Sequence, residues 1–377
     1  MDEKEIAEKY GKKKKNRKLK LLIAALIILL AVLLVLNWRT IMSPFKDIAL
    51  NLGEGGFPVM LPGSTDYCLG EMGDNFYLLT DTYLYTYNAE GAEIQGVQHG
   101  FQNPVSDAGD SRLLVYDKNG KAFRVYSKSS EIYSLETEDS IVFARSGDRN
   151  KTAVVTTSSR YSNYLYIFGG DGKQIFRFAS PDEKIMQVCF SGGNNIYVAV
   201  VGESGGELKS SVLCFDTTNE NGEVWRTPVG NKVVLSLEKC PDGVYTVTSG
   251  GFYLMDEATG ELKAQNTFTK QIVGIGGSGG ELRVLFFHDS ASNGQTAAVY
   301  NSSLEAVAGI TFENMDDFDT YQNRLYVLSG KNLTVYNSSL EEIKKFELED
   351  EYSDLEIING NAYLLGYNTV QYLSLGI

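Results

Sequence analysis

From residue 57 to the end, apolar and polar positions alternate in short runs broken by Gly, Asp and Asn. This is the period-2 pattern of β-strands, with no helical stripe. Each unit reads as an apolar strand, a turn, a second strand, a turn, a third strand ending in an aromatic and a polar turn, and a fourth strand. The third strand is the easiest to follow: Tyr83–Asn88, Ala122–Ser127, Tyr164–Phe168, Val212–Asp216, Phe252–Asp256, Thr296–Tyr300, Asn332–Tyr336 and Val370–Ser374. Successive copies start 39, 42, 48, 40, 44, 36 and 38 residues apart, close to the ~40–45 residues of a propeller blade. Two copies share Val-Tyr-Asn-Ser-Ser-Leu-Glu without a mismatch, at Val299–Glu305 and Val335–Glu341. The pattern predicts an all-β fold, an eight-bladed β-propeller, with seven blades as the fallback if one unit is irregular.

The eighth copy ends three residues from the last residue, so its unit lacks a fourth strand. An isolated strand, Phe57–Leu61, precedes the first full unit, and its Pro58 is admissible only at an edge or a strand start. Pairing this strand with the last copy predicts a closed ring without a free edge.

The first 56 residues follow a different pattern. Lys12, Lys13, Lys14, Lys15, Arg17, Lys18 and Lys20 form a basic run, and Leu21–Leu36 contains no polar side chain. With Leu19 and Trp38 the apolar span approaches the ~20 residues that cross a bilayer. A core helix would have a polar face, and a cleaved signal would have a shorter apolar run and a small-residue processing site. The expected organisation is a cytoplasmic basic tail (1–18), a transmembrane signal anchor (19–38), a stem (39–56) and an extracytoplasmic propeller (57–377). The lysines set the orientation. The basic run also lies where it would meet anionic headgroups.

Charge divides in the same way. Residues 1–38 carry nine of the 34 basic and four of the 48 acidic side chains, which leaves the rest at −19. So acidic a domain repels nucleic acid, which excludes it as a partner. Tight-turn pairs recur among 38 Gly, as many short strands require. The four cysteines, Cys68, Cys189, Cys214 and Cys240, show neither a metal nor a disulfide spacing, and Cys189 and Cys214 read as small buried hydrophobes.

Phe252-Tyr-Leu-Met-Asp-Glu-Ala-Thr-Gly-Glu-Leu262 resembles the blade repeat of quinoprotein-type propellers, in which Tyr-x-x-Asp-x-x-Thr-Gly joins the third strand to the fourth. Anchor and ring together are similar to uncharacterised bacterial membrane-anchored propeller proteins, and also to WD-repeat-like rings in outline. The resemblance implies the fold. Quinoprotein blades repeat a docking tryptophan, whereas only Trp38 and Trp225 exist here, so no quinone cofactor is implied.

Formal catalytic motifs fail on context. Gly274–Gly279 matches GxGxxG but precedes the strand Glu281–Phe287 and no helix. The Gly-x-Ser-x-Gly matches around Ser204 and Ser278 lie between strands, while a nucleophile elbow leads into a helix. His99 and His288 are the only histidines, and neither shows ligand spacing. Asp316, Asp317 and Asp319 cluster at a first strand without a calcium-loop spacing and read as a solvated acidic rim, as does Glu347–Glu351. Tyr83, Tyr85, Tyr166 and Phe168 would stack on sugars or, as favoured here, pack blade against blade.

No catalytic, cofactor-binding or metal-ligating residue is assigned. The expectation is a non-enzymatic scaffold or recognition module of the cell envelope that binds a protein or wall polymer. The alternative is a glycan-active enzyme with paired carboxylates in the channel, which needs two carboxyls ~5–9.5 Å apart. A sensor that signals inward has only the short tail Met1–Lys18 to signal with.

Overall fold

The computed structural model describes residues 53–377, apart from 64–65, 110, 220–221, 278–281 and 292–293. The basic tail, the anchor and the stem up to residue 52 lie outside the described residues. Among the described residues no helix is long and apolar enough to cross a membrane. Residues Gly53–Ile377 form one compact unit.

That unit consists of eight four-stranded antiparallel sheets. Blades 1 to 7 occupy residues 68–98, 104–136, 141–180, 184–228, 234–267, 272–312 and 317–347. Blade 8 combines Asp354–Ile358, Asn361–Leu365 and Thr369–Leu373 with Val59–Met60 as its outer strand. The register is Val59 to Val370 and Met60 to Thr369, and Leu61 N–H adds a bond to Asn368 O at 2.9 Å. All eight expected third strands are third strands. The closing strand is shorter than the expected Phe57–Leu61 because Pro58 has no N–H to donate and Phe57 turns inward, its ring 5.3 Å from Tyr372 and 6.1 Å from Phe76.

Packing explains why second strands such as Asn75–Leu79 and Thr152–Thr156 are mostly apolar and buried at every position. Alternate side chains of a strand point to opposite faces, and here each face meets a neighbouring blade. Leu325 and Val327 pack on blade 6, whereas Tyr326 and Leu328 pack on blade 8. The core is therefore eight interblade clusters, one for each neighbouring pair, and the last joins blade 8 to blade 1 through Val59, Phe76, Tyr363 and Val370. This circular chain of interfaces is what makes the fold a ring.

The duplicated heptapeptide forms the turn from third to fourth strand. Asn301 Oδ1 accepts from the N–H groups of Ser303 and Glu305 (both 2.9 Å), and Asn337 Oδ1 does the same with Ser339 and Glu341. Leu304 and Leu340 then adopt positive φ, +61° and +59°. That conformation costs roughly 1–2 kcal/mol. Burying each leucine against the preceding blade offsets it by ~1.5–3 kcal/mol.

The quinoprotein-like turn is built differently. Asp256 Oδ1 accepts from Ala258 and Thr259 N–H at 2.9 and 3.1 Å. Gly260, at φ +74°, lies against Trp225 of blade 4, whose indole N–H donates to Glu257 O at 3.1 Å. Trp225 thus docks blade 4 on blade 5. A Cβ at Gly260 would fall 2.6 Å from the indole ring and 2.7 Å from Thr227 Oγ1. Gly260→Ala is expected to cost ~2–3 kcal/mol through backbone strain and overpacking. It is read as a lower melting temperature and a red shift of Trp225 emission. A melting curve that overlays the unmodified protein would refute this interface account.

In each of blades 1 to 7 the fourth strand begins with a bulge, two residues opposite one on the third strand. The extra residue is often an exposed aliphatic, as at Ile132, Ile175, Val224, Val307 and Ile343. Bulges at this position twist the outer edge out of register with an incoming strand, which protects the rim.

Candidate functional site: the channel wall and the upper cleft

Each inner strand is the free edge of its sheet, so its outward N–H groups need partners at the channel. Side chains from neighbouring blades supply several of them. Asp107 accepts from Ser146 N–H (2.5 Å), Asn163 Oδ1 from Ile185 N–H (3.1 Å) and Thr320 Oγ1 from Gly277 N–H (3.0 Å). On the inner strand Asp317–Tyr321, Asp317 and Asp319 reach blade 8 and accept from Leu355 and Ile357 N–H, both at 2.7 Å. Asp316 accepts from Gly330 N–H at 2.6 Å within its own blade. The expected solvated rim is therefore corrected. Asp317 and Asp319 are half-buried caps on a neighbour's backbone, and only Asp316 remains exposed.

Crowding shapes the electrostatics of this wall. Burial pushes Glu356 up to about 9, reinforced by Asp319, Asp354, Glu71 and Asp317. Asp317 rises to about 7 through burial and a hydrogen bond with Asp354, which also accepts from Leu355 N–H at 3.0 Å. Asp319 rises to about 6 through burial, against the pull of its two backbone donors. At neutral pH the wall thus holds protons as well as charge.

Across the channel, Arg145 on the inner strand of blade 3 bonds Asp107 at 2.7 Å and Gln187 Oε1 at 3.1 Å. Glu238, raised by burial, accepts from Ser236 Oγ at 3.0 Å. These groups border a cavity of ≈ 490 Å³.

A larger cleft, ≈ 750 Å³, opens where the connectors into blades 1, 7 and 8 converge. Inner strands all start on this face, here called the upper face. Tyr67, Tyr352 and Tyr367 line the cleft together with Asp66, Asp316 and Glu351. Tyr352 is 9% exposed and Tyr367, at the turn between the second and third strands of blade 8, is 100% exposed.

The remaining motif residues have structural places. Gly202 and Ser204 lie at the end of the strand Asn195–Ser204, Ser204 exposed, and Gly205 and Gly206, at φ +70° and +82°, form the hairpin turn into Glu207–Asp216. Gly274 and Gly276 lie in the inner strand Ile272–Gly276, and Ser278 falls outside the described residues. His99 is buried, with Nε2 3.1 Å from Thr80 O and Nδ1 accepting from Phe101 N–H at 3.1 Å. Those partners require the neutral ring protonated on Nε2, and burial lowers its pKa accordingly. His288 sits on the second strand of blade 6. Phe168 and Tyr85 pack between blades as expected, whereas Tyr83 is 39% exposed. All four cysteines are free, and Cys214 is buried while Cys189 is partly so. Among the described residues no group of His, Cys, Asp and Glu is arranged to hold a metal ion.

Sequence reasoning missed Asp354 and Glu356. Their signal was present as Asp354-Leu-Glu-Ile-Ile358, two acidic residues two positions apart in an otherwise apolar strand, matching Asp317-Phe-Asp319 on the adjacent inner strand.

Solved propellers are similar in fold. The Dos1 propeller matches with a TM-score of 0.60 at 13% identity, over 86% of this chain and 95% of that one. BamB from Moraxella catarrhalis matches at 0.54 and 12%, over 82% and 94%. KlAtg21, in its complex with the coiled-coil of AgAtg16, matches at 0.54 and 13%, over 76% and 100%. No curated protein matches. Residues 63–373 match a family profile spanning blades 1 to 8, and the chain belongs to that family, described as "Family of unknown function (DUF5711)".

Proposed function

We propose that this protein is a single-pass, membrane-anchored propeller with its N-terminus in the cytoplasm and its ring outside, acting as a non-enzymatic scaffold or recognition module of the cell envelope. The anchor rests on the basic run Lys12–Lys20 followed directly by the apolar stretch Leu21–Leu36. One observation carries the non-enzymatic part: the channel carboxylates Asp107, Asp317 and Asp319 already accept from backbone N–H groups, and Asp317 is hydrogen-bonded to Asp354. Asp317 and Asp354 share the Leu355 N–H and a hydrogen bond. A glycosidase pair stands farther apart, with room for water or sugar between. The KlAtg21 complex, a similar ring holding a coiled coil, supports a protein as the class of partner.

The test uses the full chain in its membrane. A membrane-impermeant amine reagent on intact cells is expected to label ring lysines such as Lys331 and to spare Lys12–Lys20. Purified full-length protein is expected to release no reducing ends from wall glycan. Release that disappears in Asp317→Asn would replace this reading with the enzyme.

A further inference from the structure

The upper cleft combines features that the recognition reading leaves unassigned. Its lining has three tyrosines and three carboxylates and no Lys or Arg. A nearby lysine, Lys331, is held away by its bond to Glu349 O at 2.6 Å, and Glu349, Asp350 and Glu351 run along the rim. Tyr352 forms part of the wall beneath Gly366, where a Cβ would come within 3.4 Å of its ring, while Tyr367 stands free above it. At ≈ 750 Å³ the space falls within the ~300–1,000 Å³ of ligand sites.

Aromatic faces and carboxylates around one opening attract ammonium and guanidinium groups, the faces through their quadrupole and the carboxylates by charge-assisted hydrogen bonds. The net −19 of the chain after Trp38 steers cations toward the ring from a distance. The chain joins the ring elsewhere. Gly53 O accepts from Asn88 Nδ2 at 2.8 Å, beside the lower-face turn of blade 1, so residue 53 lies on the face opposite the cleft.

We propose that the upper cleft docks a lysine- or arginine-bearing extended segment of a protein partner, with Tyr367 and Tyr352 against the side-chain cations and Asp66, Asp316 and Glu351 paired to them. The proposal deepens the recognition reading and rests on it.

The test is fluorescence anisotropy of a labelled nonapeptide alternating lysine and glycine, titrated with detergent-solubilised full-length protein. Competing probes are the glutamate–glycine peptide and a chito-oligosaccharide. Binding is expected for the lysine peptide alone, weakening as salt rises. It is expected to fall at least tenfold in Tyr367→Ala and in Asp316→Asn/Glu351→Gln, with melting temperatures unchanged. The charge-matched control Glu342→Gln/Glu347→Gln, on the outer strand of blade 7, is expected to retain binding. Equal losses in the control and the cleft variants would reduce the effect to overall charge and overturn the proposal. Preference for the oligosaccharide would overturn it in favour of a glycan. Failure of this docking site is separable from failure of the recognition reading. A partner cross-linked to another face of the ring would leave recognition standing and remove the cleft.

Discussion

Deletion of residues 53–61 from the full chain is expected to lower the melting temperature of the ring by more than ~10 °C and to make it aggregate. Three contributions disappear together. Val59 is buried between blades 8 and 1. Phe57 packs on Tyr372, Tyr363 and Phe76 at 5.3, 5.8 and 6.1 Å. A fully buried side chain such as Val59 is worth ~1.5–3 kcal/mol, and half-buried Phe57 less. The pairing of Val59 and Met60 to Val370 and Thr369 is lost as well, which turns the third strand of blade 8 into an unpaired edge, a template for edge-to-edge association. A loss of ~4–6 kcal/mol follows, and at ~2–4 °C per kcal/mol for large domains it is measurable by calorimetry. A synthetic peptide of residues 53–62 added to the deleted protein is expected to restore part of the loss. Val59→Asp, which keeps the backbone but buries a charge, is expected to have a similar effect. Deleted protein that melts with the unmodified chain and stays monodisperse would mean that the ring does not depend on this strand.

The features that sequence exposes are those encoded locally and repeated. Eight third strands could be counted because each ends in its own turn, and the closing strand was foreseen from two local anomalies, a strand without neighbours and a unit without a fourth strand. The sites are assembled differently. Asp317 and Asp319 looked solvated because a linear reading sees their polarity and not the free edge of blade 8 opposite, whose Leu355 and Ile357 N–H groups they take. The upper cleft draws Tyr67, Asp316, Tyr352 and Tyr367 from separate connectors, each an ordinary polar turn alone, and only ring closure brings residue 67 beside residue 367. Leu304 and Leu340 show the intermediate case: the duplicated heptapeptide was obvious, but the buried leucine at positive φ that gives the turn its purpose is a tertiary fact.

The acidic wall makes the ring's stability depend on pH with a sign opposite to that of paired surface carboxylates. Glu356 rises from 4.5 to about 9, Asp317 from 3.8 to about 7 and Asp319 from 3.8 to about 6. Between the unfolded and folded values the native state holds more protons than the unfolded chain, so stability falls as pH rises. The contribution of these groups is complete below pH ~4 and lost in stages as each folded value is passed, that of Glu356 last, near pH 9. The unmodified protein is expected to melt at a steadily lower temperature from pH 5 to pH 9. Glu356→Gln keeps the shape and hydrogen bonding of the protonated acid, and is expected to match the unmodified protein near pH 5 and exceed it at pH 9. One pKa unit corresponds to ~1.4 kcal/mol. Discounted for the partial exposure of Glu356, the gain at pH 9 is ~1–2 kcal/mol, or ~2–8 °C. Glu342→Gln removes one equal charge from an exposed strand and is expected to shift the curve by under ~1 °C, which separates desolvation at the channel from the repulsion of an acidic surface. A gain at pH 9 shared by both variants, or a melting temperature that rises with pH in the unmodified ring, would show that Glu356 is ionised in the folded protein and that the wall carries its full charge at neutral pH.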